Sequence, residues 1–234
     1  MDYHKNVILP AALRLLDPKP GESVIDVCCG QGVLVPFLAE AGVGTYLGID
    51  ASPQLIASAR KRHGNLRGVT FLAADACARE SPWADGSHDA AACLMAVHDV
   101  PDAAALFRNL HLTLKPGGRA VIVMMHPCFR IPRHSHWGWD NEQAIQFRRI
   151  DQYLGPLDIG ITTHPGNRAD SPQTTFHHRP LSEILSAMGA SGLMLETCEE
   201  LTSHRRSQPG KFSKAEHKAA QEIPLFLALK ARVP

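Results

Sequence analysis

Apolar and polar positions change their period from segment to segment along the chain, and the changes mark out alternating helices and strands. Val7, Ile8, Ala11, Ala12, Leu15 and Leu16 fall at helical spacing and predict an amphipathic helix over 4–16. Asp17-Pro18-Lys19-Pro20-Gly21 stops it. Val24, Ile25 and Val27 predict a buried strand, Gly30 and Gly32 a turn, and 33–39 a helix. A second strand is expected over 45–50. Ser52 as N-cap and Pro53 in the first turn then open a helix running to Arg62. Further strands are predicted over 69–73, 90–97 and 119–125. A polar loop (81–87), a helix (101–113) and a Pro116-Gly117-Gly118 turn lie between them. Strands alternating with helices specify a doubly wound α/β fold.

Beyond residue 125 the periodicity breaks. From 126 to 178 prolines, glycines, histidines and aromatics follow no sustained repeat, and an irregular stretch that long inside a domain is usually functional. A helix over 180–188 stopped by Gly189, a strand over 192–196, a basic polar segment over 203–217 and a buried strand over 223–231 complete the chain. With 234 residues, one core suffices: a single domain over 1–234, with a binding core at 22–125, an insertion at 126–178 and C-terminal elements at 180–232. A formal net charge of +1 gives no global attraction for nucleic acid or membranes. Cys28, Cys29, Cys77, Cys93, Cys128 and Cys198 include no CxxC pair, as expected of reduced, mostly buried thiols. Polar and charged residues interrupt positions 1–6, and no apolar run reaches membrane length. A cytoplasmic protein is expected.

The chemistry concentrates in VIDVCCGQGVLVPFLA, 24–39. A strand, a glycine turn and a helix present unpaired N–H groups and a positive dipole end to a ligand. Asp50, twenty residues beyond Gly30, is placed to accept hydrogen bonds from two ribose hydroxyls. A dinucleotide fingerprint would need glycine where Cys28 and Val33 stand, and no Lys-Ser/Thr follows for a P-loop. Asp26, just ahead of the turn, suits a ligand carrying an ammonium and a sulfonium better than a pyrophosphate.

These residues resemble the class I S-adenosylmethionine-dependent methyltransferases, and the resemblance spans roughly 24–123. The family's D-x-G-x-G-x-G motif matches 26–32, with Cys28 in place of the first glycine, a departure that narrows the loop. Asp50 matches the acidic ribose ligand, 71–76 the third motif, 88–97 the fourth strand and 114–119 the turn before the fifth. The resemblance implies a seven-stranded, mostly parallel sheet with an antiparallel last strand. It further implies S-adenosyl-L-methionine as cofactor, S-adenosyl-L-homocysteine as product, and cofactor contacts at Asp26, Cys28, Gly30, Gly32, Asp50, Ala51, Asp75, Ala76 and Met95.

Ligands in such sheets sit beyond the carboxyl ends of the strands. His98 after strand four and His126 after strand five are therefore candidate catalytic groups, each set against a plain structural role. The insertion is tethered there and is expected to close over the site as a lid. Trp137 and Trp139, spaced for one face of an extended segment, together with Tyr153 and His177, are the candidate acceptor-binding residues. His126, His134, His136, His164, His177 and His178 lack the Cys, Asp or Glu partners of a zinc site, so no metal is expected. Cys128 lies where some RNA cytosine-5 methyltransferases carry a nucleophile, but their Pro-Cys pair after strand four is replaced by Val97-His98-Asp99. No N/D-P-P-Y/F motif follows strand four, and Arg205, Arg206, Lys211, Lys214 and Lys218 read as a solvated surface. The expected partner is a small-molecule methyl acceptor rather than nucleic acid or membrane, and a homodimer is compatible with the sequence. The alternatives are an RNA or protein methyltransferase and a non-catalytic cofactor-binding module.

Overall fold

Every segment up to residue 125 in which the sequence predicts a strand forms one, and the helices between them fall close to their expected bounds. The computed structural model describes residues 2–162, 173–205, 207–210 and 212–234. A π-helical turn (His4–Ile8) runs directly into α1 (Leu9–Leu16), followed by β1 (Ser23–Val27), α2 (Val35–Glu40), β2 (Thr45–Asp50), α3 (Pro53–His63) and β3 (Val69–Ala73). Next come β4 (His88–Leu94), α4 (Ala103–Thr113) and β5 (Leu114–Met125). Two hairpins follow, β6 (Ser135–Asp140) with β7 (Ile145–Ile150) and β8 (Leu157–Thr162) with β9 (Gln173–His178). The chain ends with α5 (Leu181–Ala190), β10 (Met194–Leu201), α6 (Ser213–Glu222) and β11 (Phe226–Arg232).

Seven strands form one sheet in the order β3-β2-β1-β4-β5-β11-β10. β1 to β5 are parallel, and β11 inserts antiparallel between β5 and β10. Strand alternation supplies two apolar faces. Ala90, Ala92, Leu94, Val121 and Val123 meet α1, α2 and α3 on one side, through Leu15, Leu16, Leu38 and Ile56. Ala91, Cys93, Ala120, Ile122 and Met124 meet α4 and α5 on the other, through Leu106, Phe107, Leu110 and Ile184. Each of the larger side chains (Val, Leu, Ile, Phe and Met), fully buried, contributes about 1.5–3 kcal/mol relative to exposure. Ser52 Oγ caps α3 by accepting from Leu55 N at 3.3 Å, and Asp102 caps α4 through Ala105 N at 2.9 Å. The order of strands reverses between β1 and β4, so the carboxyl ends of these two strands flank the crevice in which such folds hold ligands.

Several expectations give way. β4 starts two residues earlier than predicted and ends at Leu94. The Pro116-Gly117-Gly118 turn is absorbed into β5 as an irregularity of register beside β4. The irregular insertion is two antiparallel hairpins, the second packing Ile159 and Phe176 on Ile131. α5 continues through Gly189 to Ala190, and the polar segment expected at 203–217 contains the first half of α6. No helix among the described residues is long and apolar enough to cross a membrane.

Candidate active site

Left-handed backbone shapes the turn after β1. Cys28 has φ +62°, Gly30 +55° and Gly32 +75°, and the cysteine adopts a conformation that costs a side-chain-bearing residue about 1–2 kcal/mol. The turn is held from β2: Cys29 N donates to Ile49 O at 2.8 Å and Gly30 N to Asp50 Oδ2 at 2.9 Å. Ser52 N donates to the other Asp50 oxygen at 2.9 Å, so one carboxylate ties together the loops after both strands and keeps a lone pair on each oxygen for a ligand. Gly48 permits this approach. A Cβ there would lie 2.8 Å from the Phe71 ring and 2.9 Å from Cys29 Sγ.

The loop opens on a cleft of about 260 Å³ lined by His4, Asp26, Cys28, Gly30, Gln31 and Leu94. Asp26 is only 2% exposed and accepts from Tyr46 Oη at 2.9 Å. Burial pushes its carboxyl up to about 7. The Tyr46 hydrogen bond works against that rise and the Asp50 charge adds to it. A cationic group entering the cleft would stabilise the ionised form. The Cys28 thiol, hydrogen-bonded with Cys93 and buried, and the Cys29 thiol, buried, are both pushed up and stay neutral. Asp75 is exposed at the end of β3, one oxygen accepting from Cys77 N at 2.8 Å, with Ala76 buried behind it. Ala51 follows Asp50 on the surface. Met95 is half-buried, with φ +59° and its N–H on Val123 O.

His98 lies beyond β4 with its ring stacked on Phe176, centroids 4.8 Å apart. Its Nδ1 is buried with no hydrogen-bond partner among the described residues, and its Nε2 is 4.0 Å from Asp99. Burial, then the nearby Arg130 charge, lowers it to about 4, so the ring is neutral. The Asp99 carboxyl is pushed up to about 6 by burial. The loop is held by Arg179, whose guanidinium donates to Val97 O, Val100 O and Pro101 O at 3.2, 2.9 and 2.6 Å, and by His177 N donating to His98 O. The His177 ring pairs with Asp158 at 2.7 Å.

His126 has both ring nitrogens engaged: Nδ1 accepts from Cys128 N at 3.2 Å and Nε2 donates to Glu200 at 2.8 Å. Burial lowers its pKa against the pull of Glu200. Tyr153 Oη contacts Cys128 Sγ at 3.4 Å and accepts from Leu181 N at 3.0 Å. Trp139 packs on Phe212, whereas Trp137, 38% exposed, borders a second cavity. Among the described residues no group of three His, Cys, Asp or Glu is placed to hold a metal. His134 pairs with Asp151 and His136 with Arg133 O. His164, Arg206 and Lys211 lie outside the described residues.

The second cavity, about 400 Å³, is lined by Tyr3, Arg130, Trp137, Arg148, Arg205 and Glu216 among others. Tyr3 borders this cavity and its neighbour His4 borders the cleft, so the start of the N-terminal helix stands between the two. Sequence reasoning missed Tyr46, Gly48, Arg130, Arg148 and Arg179, which act through partners distant in the chain.

A family model described as a methyltransferase domain matches residues 24–118. The crystal structure of an S-adenosylmethionine-dependent methyltransferase from Mesorhizobium loti is 30% identical, covering 95% of this chain and 96% of that one with a TM-score of 0.74. A 2-phytyl-1,4-naphtoquinone methyltransferase from Synechococcus elongatus is 36% identical over 120 residues, 49% of this chain and 51% of that protein. A demethylmenaquinone methyltransferase from Corynebacterium kroppenstedtii is 34% identical over 112 residues, 48% of this chain and 45% of that protein. The chain spans about half the length of the curated relatives it matches.

Proposed function

The chain belongs to the S-adenosylmethionine-dependent methyltransferases, and we propose that it transfers a methyl group from that cofactor to a small-molecule acceptor at the carboxyl edge of its sheet. The observation that carries the proposal is the Asp50 carboxylate, fixed by two backbone N–H groups, one of them from Gly30, which lines a cleft together with a second, buried acid, Asp26. A ribose diol and an ammonium group answer those two acids. When bound, S-adenosylmethionine supplies an electrophilic methyl group on a sulfonium. Asp50 and Ala51 would hold the ribose, Asp75 and Ala76 the adenine, and Asp26, Cys28, Gly30, Gly32 and Met95 the amino-acid end. The acceptors named for two relatives are quinones, which favours a small molecule over RNA or protein.

The chain's own contribution is alignment and exclusion of water. His98, held neutral and low in basicity by burial, serves as a hydrogen-bond acceptor facing the acceptor rather than as a strong base. His126 has no ring nitrogen to spare and positions the chain after β5 against β10. Trp137 lines the acceptor side, while Tyr153, His177 and Trp139 hold the hairpins in place.

Calorimetric titration with S-adenosylmethionine, S-adenosylhomocysteine and NAD tests the reading. The first two should bind at micromolar concentration and NAD should not. Asp50→Ala should weaken binding by about 10- to 100-fold, the loss of charged hydrogen bonds, with thermal melting followed alongside to show that the variant folds. Binding of NAD alone, or undiminished cofactor affinity in the folded variant, would sink the proposal.

A further inference from the structure

The 400 Å³ cavity beside the cleft is lined by two guanidinium groups that form no ion pair among the described residues. Arg130 is half-buried, its guanidinium 5.7 Å from the Phe226 ring, and it makes no hydrogen bond or ion pair with its side chain among the described residues. Arg148 uses Nε and one terminal nitrogen on neutral acceptors, Phe129 O at 3.0 Å and Ser135 Oγ at 2.7 Å, and lies over the Trp137 ring at 5.1 Å. Glu216 also lines the cavity but, among the described residues, makes no ion pair with either. Arg205, over the Tyr3 ring at 4.3 Å, is part of the wall.

Removing a guanidinium from water without a counter-ion is costly, and two of them at one cavity repel each other. Burial lowers the pKa of both, and the charge of Arg130 lowers Arg148 further. A chain that tolerates this gains stability when an anion enters, since a planar fork can take a carboxylate or phosphate in two parallel hydrogen bonds. The walls suit a small organic anion: Trp137 and Tyr3 supply flat apolar surface, and the volume matches a ligand pocket.

We propose that this cavity binds the anionic group of the methyl acceptor, a small molecule bearing a carboxylate or a phosphate, through Arg130 and Arg148. Its role as acceptor site rests on the methyltransferase reading; the anion site itself does not. Tyr3 and His4 place the cavity directly beside the cofactor cleft, and the field of Arg130 already reaches His98. An anion on Arg130 would therefore quench that field and make His98 more basic when an acceptor is bound.

Benzoate, phenyl phosphate and the neutral benzyl alcohol, titrated into the full chain at low ionic strength, provide the test, with S-adenosylhomocysteine titrated in parallel. At least one anion should bind and benzyl alcohol should not, and whichever anion binds more tightly identifies the head group. Arg130→Met and Arg148→Met should each weaken that anion at least tenfold while retaining S-adenosylhomocysteine affinity. Arg130→Met should also raise the melting temperature, because it removes an uncompensated cation. Failure of both anions to bind, equal binding of benzyl alcohol, or variants indistinguishable from the parent would overturn the proposal. Anion binding that persists where S-adenosylhomocysteine fails would refute the methyltransferase reading and leave the anion site standing.

Discussion

Asp26 and Asp50 occupy adjacent strands, yet their surroundings separate them chemically. Asp50 is half-buried and receives two backbone N–H groups, whereas Asp26 is sealed in with a single phenol and is pushed up to about 7. In the free protein Asp26 therefore costs stability as pH rises from about 4 through 7, because the unfolded chain ionises freely and the folded one does not. A bound ammonium reverses the preference, so cofactor binding should expel the Asp26 proton. S-adenosylhomocysteine affinity should rise about tenfold between pH 6 and pH 8, the population change expected for a group titrating near 7. Asp26→Asn should abolish this dependence and weaken binding at pH 8, as titrations at the two pH values would reveal. A variant that keeps the tenfold rise would place the titrating group elsewhere. Spacing and a charge pattern made both acids legible in the sequence. The neutral state of Asp26 was not, since it comes from burial among strands brought together only by the fold, which outweighs the opposing hydrogen bond from Tyr46 on β2.

The connection from β4 to α4 depends on an element far along the chain. Arg179, between β9 and α5, donates to three backbone carbonyls that a loop of this kind would otherwise leave to water. Arg179→Met keeps the bulk and removes the donors, which should cost about 3 kcal/mol and lower Tm by about 6–12 °C. Turnover should fall by more than cofactor affinity, because His98 rides on this loop and Asp50 does not. A melting temperature within a degree of the parent would show that the clamp is dispensable. Elements up to β5 were legible because apolar runs bounded by glycine and proline reveal themselves locally. The hairpins were not. Gly138 works in β6 only because Phe147, nine residues on, lays its ring across it, closing to 2.4 Å of where a Cβ would be. α6 buries only Ala219, so it carries no apolar stripe to read.

The thirteen histidines are plain in the sequence, but only the fold decides which of them resist protonation. His88, His98, His126 and His178 are all lowered by burial, His98 to about 4. A histidine kept neutral in the folded state contributes stability that is present above about pH 6.5 and is lost as the unfolded chain takes up protons below it. Asp26 and Asp99, raised to about 7 and about 6, act in the opposite sense and stabilise the folded state as pH falls. With four such histidines against two acids, of which Asp99 is largely exposed, the balance should favour unfolding between pH 6.5 and 5. Below that, ion-paired carboxylates such as Glu22 with Arg119, held under their usual range, add to the loss. The urea midpoint should therefore fall steadily from pH 7 to 5. It should fall more steeply in Asp26→Asn, where one of the two opposing acids has been removed. A midpoint that climbs over the same range would mean that Asp26 and Asp99 outweigh the histidines, and that the folded state is built to gain protons rather than to shed them.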